Sequence, residues 1–129
     1  MKRIIFIIAI SIPILFICFL FLMHIWIGVS VKKNIELVQQ QYRGSPEDAL
    51  ISFLLDEENT YHDRTHIAIW TLGQIRSEKA LPILKELYKD DPKGKSCFGR
   101  HDSVLCQYEI HKAIQTIEKK WLFSHARLK

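Results

Sequence analysis

Residues 4–29 read IIFIIAISIPILFICFLFLMHIWIGV, a stretch with no Asp, Glu, Lys or Arg. Rising at about 1.5 Å per residue, positions 4–23 alone match the roughly 30 Å hydrocarbon core of a bilayer. A transmembrane helix is therefore predicted. Pro13 removes one backbone donor, which membrane helices accommodate through neighbouring groups, so a mild kink is expected. His24 and Trp26 fall where the span reaches the far headgroup region, a level that suits amphipathic rings. His24 reads as a solvated interface residue in preference to a haem ligand or proton relay.

A cleaved signal peptide would share the basic start, Lys2 and Arg3, and the small residues Gly28 and Ser30. Its apolar region would run only about 7 to 15 residues, however, and a lipoprotein signal would need a small residue before Cys18, where Ile17 stands. An uncleaved anchor fits better. Lys2 and Arg3 on one side nearly balance Lys32, Lys33 and Arg43 on the other. The short basic head and a pair of cysteines able to bridge favour an N-terminus inside and a soluble part outside the cytoplasm.

All 14 Asp and Glu lie from Glu36 onward, and 16 of the 18 Lys and Arg lie from Lys32 onward. The soluble part thus carries a net charge of only +2. That field is too weak for a nucleic-acid partner, and none is expected.

Val31, Ile35, Val38 and Tyr42 recur at helical spacing and extend the anchor as an amphipathic helix. Gly44 is a C-terminal cap candidate, Ser45 an N-cap, and Pro46 a first-turn proline. Four helical stretches follow, at 46–58, 62–75, 77–89 and 103–122. Ala49, Leu50, Phe53 and Leu54 form the inward face of the first. Ile67, Ala68, Trp70, Thr71, Leu72 and Ile75 form that of the second, and Ala80, Leu81, Leu84, Leu87 and Tyr88 that of the third. No segment alternates as a strand would, so an all-α fold is expected. Ser45-Pro46-Glu47-Asp48-Ala49-Leu50 is echoed 31 residues later by Arg76-Ser77-Glu78-Lys79-Ala80-Leu81, an internal repeat. Ala68-Ile69-x-x-Leu72 returns as Ala113-Ile114-x-x-Ile117, displaced by 45 residues, one period plus 14, most of which are taken up by an insertion at 90–102.

Positions 68–84, Ala-Ile-Trp-Thr-Leu-Gly-Gln-Ile-Arg-Ser-Glu-Lys-Ala-Leu-Pro-Ile-Leu, resemble the helix-turn-helix join of HEAT repeats of the short bacterial type first known from phycobilin lyases. The likeness extends over 45–121 and is sharpest over 68–87. Thr71 stands where that pattern has alanine, and Glu118 where the second repeat would have glycine. The resemblance implies an α-solenoid of two helix pairs and a bacterial inner or plasma membrane, with Gly73 at a left-handed turn, Pro82 early in a helix and alanines where helices approach. Some relatives of that type handle chromophores, so a bilin-lyase-like or metal-dependent activity is the enzymatic alternative.

The chain has three cysteines, of which Cys97 and Cys106 lie in or beside the insertion. In an oxidising compartment they can bridge, closing a loop worth about 2 to 3 kcal/mol. The bridge is the expected state; the alternatives are free thiols, or a set with His101 and His111 as Cys-x3-His-x4-Cys-x4-His, acceptable to tetrahedral zinc but at a non-standard spacing, so no metal site is expected. His62 and His66 stand at i, i+4 but lack the glutamate of a metalloprotease pair, so they read as solvated. The carboxylate pairs Glu57/Glu58 and Asp90/Asp91 read as loop acids. Trp70 and Trp121 are expected in the core or facing a partner. Lys93, Lys95 and Arg100 outnumber Asp91 once the flanking acids Asp90 and Asp102 are set aside, and they are the expected interaction residues, toward an acidic protein surface or anionic lipid. No catalytic or cofactor-binding residue is expected.

The predicted organisation is an anchor at 1–30, a juxtamembrane helix at 31–43, a HEAT-like domain at 44–122 with its insertion at 90–102, and a tail at 123–129. Two repeats bury less core than the roughly three a solenoid needs. The expected function is that of a single-pass membrane-anchored module that binds another protein, or an accessory subunit held in a membrane complex by its anchor.

Overall fold

A computed structural model describes residues 2–118. Among the described residues every regular element is helical and none is a strand. Trp121 and the tail at 123–129 lie outside the described residues, as does the end of the expected fourth helix. The chain divides into two compact units, one ending at Lys32 and one beginning at Lys33.

The first unit is the greater part of α1 (Lys2–Gln39), which includes Pro13. Within α1, Ala9–Gln39 is long and apolar enough to cross a membrane. Leu15, Ile17, Phe21 and Leu22 are all exposed, as expected of side chains that lipid solvates.

The second unit opens with the last turns of α1, where Ile35 and Val38 are buried and Tyr42, just past the helix, is half-buried. It continues through α2 (Pro46–Leu55), a helical turn α3 (Tyr61–Asp63), a π-helical segment π1 (Arg64–Ile69), α4 (Trp70–Gln74), α5 (Leu81–Leu87) and α6 (Gln107–Glu118). α2 packs on π1, and both α4 and α5 pack on α6. Leu50, Leu54, Ile69, Leu72, Leu84 and Ile110 are fully buried between them.

The N-terminal cap of α2 follows the sequence closely. Ser45 Oγ accepts from Asp48 N at 3.2 Å and Pro46 sits in the first turn of α2. Gly44, at φ +127°, does not cap the preceding helix as expected, because α1 ends earlier, at Gln39. α2 stops at Leu55, three residues short of expectation, because Asp56 turns extended and its carboxylate accepts from Glu58 N at 3.0 Å. Thr60 N-caps α3 by accepting from Asp63 N at 3.1 Å.

The second predicted helix is interrupted. From Arg64 to Ile69 the backbone widens to π geometry before α4 resumes. Arg64, apolar-facing at 8% exposure, donates from Nε to the Leu54 carbonyl at 2.7 Å, and its guanidinium lies 5.5 Å from the Tyr61 ring centroid.

Gly73 does not occupy the left-handed turn expected of it. It lies inside α4, while Arg76 carries the positive φ of 53°. Ser77 N donates to Leu72 O at 3.1 Å and Arg76 N to Gly73 O at 3.2 Å, a Schellman closure with arginine at its left-handed position. Gly73 instead permits close approach: a Cβ there would lie 3.1 Å from both Cα and Cβ of Ala113 on α6. The expected third helix begins late, at Leu81. Pro82 has no N–H to donate to the Glu78 carbonyl, which Leu81 N takes at 3.3 Å, and Ala80 N donates to both the carbonyl and the Oγ of Ser77. Ser77 thus still starts the turn, and it is completely buried.

Two polar links join the end of α1 to the helices that follow it. Asn34 Nδ2 donates to Thr71 Oγ1 at 3.0 Å, which gives the buried threonine a role that alanine could not fill. Tyr42 donates to Asp56 Oδ2 at 2.5 Å, while Asn59 Nδ2 donates to Tyr42 Oη at 2.9 Å and to the Phe53 carbonyl at 3.1 Å. The Tyr42 ring meets Phe53 edge-on at 5.9 Å.

Candidate functional site

The insertion at 90–102 and the turns after it form a loop organised by its own side chains. The Asp91 carboxylate accepts from the backbone N of Lys95 at 3.1 Å and from the N and Oγ of Ser96 at 2.8 and 2.7 Å, which holds it below the usual carboxylate range. Gly94 and Gly99 take left-handed φ values of 62° and 68°. Gly94 has to be glycine for space as well, since a Cβ would lie 2.7 Å from that of Tyr108. This fold of the loop turns Cys97 inward, to 2% exposure, while Phe98 stands 88% exposed beside it.

Cys97 and Cys106 are at disulfide distance, with Cα atoms 5.1 Å apart. Both are buried, and a bridge between them would tie the insertion to the start of α6. Cys106 N donates to Thr65 Oγ1 at 3.4 Å, a weak bond that sets the cysteine against π1. Because Thr65 is buried, the next residue, His66, is left at the surface over the same place.

The histidines gather there. The rings of His62 and His66 are 4.4 Å apart and those of His66 and His101 are 6.2 Å apart. Burial holds the His66 imidazole below the ordinary histidine value, and repulsion from His62 adds to the effect. The possible ligand atoms of Cys97, His101 and Cys106 all lie within 4.8 Å of one another. His111, the fourth member of the sequence-derived zinc set, points elsewhere: it stacks on Tyr88 at 5.4 Å, and its Nε2 lies 2.8 Å from Gln115 Nε2. His66 is the residue that sequence spacing did not join to the loop. Its signal was present in the i, i+4 pair with His62, but the convergence on His101 crosses 35 residues of chain.

Lys93, Lys95 and Arg100 are all exposed on the loop, as is His101. Together with Phe98 they give the loop three exposed cations and one projecting aromatic ring, with the acids Asp90 and Asp102 exposed at its two ends. Glu57, Glu58 and Asp90 are exposed and Asp91 is engaged with Ser96, in keeping with loop acids. Trp70 is half-buried.

No family model matches this chain, and no curated protein or solved structure matches it either.

Proposed function

We propose that the protein is a single-pass membrane protein whose helical domain docks an acidic surface of another protein through the loop at 90–102. The observation that carries this reading is the loop itself. It presents Lys93, Lys95 and Arg100 with an 88% exposed Phe98, and a buried cysteine pair holds it in place. Cationic side chains beside one projecting aromatic suit a protein-binding patch, with the aromatic as its anchor. The apolar α1 supplies the anchor, and an all-helical domain without strand edges suits a binding platform.

In this reading the second unit is a short HEAT-like solenoid of two helix pairs, the N-terminus lies inside, and the domain lies outside the cytoplasm of a bacterium, where the cysteine pair would oxidise. The 31-residue echo supports the repeat and the basic head at Lys2 and Arg3 supports the orientation. Protease added to intact spheroplasts should then digest a C-terminal tag, and protection of the tag would reverse the orientation.

The docking reading is tested by photocrosslinking from position 98 in native membranes. A single dominant product is expected, weakened by raised salt and lost when Lys93, Lys95 and Arg100 are changed together to glutamate. It should persist when α1 is exchanged for an unrelated anchor. Loss of the product on anchor exchange, with the charge reversal harmless, would favour the accessory-subunit reading, in which the membrane helix makes the main contact.

A further inference from the structure

We propose that Cys97, Cys106 and His101 form, when the two cysteines are reduced, a tetrahedral site for a thiophilic divalent ion of the zinc type, with His66 as the fourth ligand. The inference is independent of the docking reading. It rests on the convergence of donors from two parts of the chain: Cys97, His101 and Cys106 bring their ligand atoms within 4.8 Å of one another, and the His66 ring lies 6.2 Å from that of His101. In a tetrahedral zinc site, bonds of about 2.0 to 2.3 Å place neighbouring donors roughly 3.3 to 3.8 Å apart. The widest separation among Cys97, His101 and Cys106 therefore has to shrink by only about 1 Å, while the two sulfurs move apart to the same spacing and the His66 ring, 6.2 Å from that of His101, turns toward them.

The surroundings permit those movements and define the geometry. His101 is on an exposed stretch of the loop, between Gly99 at φ 68° and the buried Cys106, so it can swing without disturbing the core. His66 is fixed more firmly. It lies on π1, and its neighbour Thr65 accepts from the amide of Cys106, so one protein-side ligand and one loop-side ligand share a hydrogen-bonded base. π segments inside helices are frequently found where a helix presents functional side chains. The sulfurs are buried and the imidazoles exposed, an arrangement that shields the thiolates and leaves an entry path on the histidine side.

A dithiol reductant converts the Cys97–Cys106 disulfide to two thiols and leaves as its own cyclic disulfide. The divalent ion then displaces both thiol protons, and two neutral imidazoles complete the set. Two thiolates with two imidazoles in tetrahedral array select zinc over harder ions. The loaded site is electrically neutral, so it adds no charge beside Lys93, Lys95 and Arg100. Bridge and metal compete for the same sulfurs, and either one pins the loop to the start of α6.

The test uses the full chain in detergent, reduced with a phosphine that does not chelate metal and titrated with Co²⁺ as a spectroscopic stand-in for zinc. One Co²⁺ per chain is expected, with a sulfur-to-cobalt charge-transfer band and strong visible bands of tetrahedral cobalt, both erased by added Zn²⁺. The disulfide form should show neither. Cys97→Ser and Cys106→Ser should each weaken the charge-transfer band. His101→Asn and His66→Asn should each lower Co²⁺ affinity by roughly tenfold or more, since even outer-shell changes at metal sites cost about that much. His111→Asn should leave the titration unchanged. Both histidines exchanged are exposed, so their variants keep the fold, which circular dichroism verifies. A reduced chain without the charge-transfer band overturns the site, and a loss of affinity in His111→Asn with none in His66→Asn overturns the ligand set.

Discussion

Asp48 and Lys79, 31 residues apart, form an ion pair. They are equivalent positions of the two echoed segments, 45–50 and 76–81, so the start of the first segment is bonded to the start of the second. Asp48 is also engaged by Ser45, whose Oγ accepts from its backbone N and donates to its carboxylate at 2.7 Å. Both side chains of the pair are about half exposed, so water and salt screen the attraction.

Lys79 first and Ser45 second hold the Asp48 carboxyl below its usual range, and Asp48 raises the Lys79 ammonium. A carboxylate with a lowered folded-state pKa contributes stability that is present above the unfolded value and lost as pH falls through the folded one. An NMR titration of Asp48 should therefore give a depressed midpoint in the native chain and a return toward the ordinary value in Lys79→Met. An unchanged midpoint in that variant would show that Ser45 alone sets it.

The Tyr42–Asp56 bond predicts a two-sided pH response. The hydrogen bond with Asp56, followed by burial, raises the Tyr42 phenol, and the same bond lowers the Asp56 carboxyl. The Asp56 share of stability is lost as acid carries the pH below the ordinary carboxylate range. The Tyr42 share is full below the unfolded phenol value near 10 and is lost as pH rises through the higher folded value. Tyr42→Phe should flatten both limbs of a pH–stability curve. Retention of the alkaline limb would show that another group causes it.

Arg76 predicts a stabilising substitution. A non-glycine residue in left-handed backbone costs on the order of 1 kcal/mol, and glycine escapes that cost while adding some unfolded-state entropy. At φ 53° in a Schellman closure, Arg76→Gly should raise stability by up to about 1 kcal/mol in chemical denaturation. A loss of stability would mean that the arginine side chain makes a contact worth more than the strain.

The core makes the opposite prediction. Leu72 and Leu84 have no exposed surface, and Leu72→Ala or Leu84→Ala should each cost about 2 to 5 kcal/mol. Gly73→Val should cost roughly 1 to 3 kcal/mol by overpacking, because its added carbons meet the backbone of Ala113 and not a flexible side chain. A tolerated valine would mean that α4 and α6 can separate cheaply.

Local signals were legible where a residue acts on its own segment. Ser45, Pro46 and the apolar stretch of α1 act within a turn or two, and all stand where spacing placed them, whereas Gly44 lies past the end of α1 at Gln39 and does not cap it. The inward face of the first predicted soluble helix was legible for the same reason: Ala49, Leu50, Phe53 and Leu54 are all buried. The next two were legible in part, since Ala68, Thr71, Leu72, Ala80 and Leu84 are buried but Ile67, Trp70, Ile75, Leu81, Leu87 and Tyr88 are only half-buried, and the fully buried Ile69 was not among those expected. The misplaced features depend on partners distant in sequence. Gly73 looked like a turn glycine, but its purpose is set by Ala113, 40 residues on, and Arg64 sits in a π segment that no periodicity announces.

From the sequence alone came an apolar helix long enough to cross a membrane, an all-helical soluble part and two cysteines able to meet. Each depends on composition or on spacing within one element, and hydrophobic burial and backbone hydrogen bonding act on those directly. Tertiary structure decided which histidine lies beside the loop. Spacing grouped His111 with the cysteines and read His66 as solvated, but π1 packs Thr65 against Cys106 and so brings His66 to the loop, while α6 turns His111 toward Tyr88. Packing between separate helices selects among side chains of the same chemistry, because only the relative placement of their backbones fixes which rings can reach a common point.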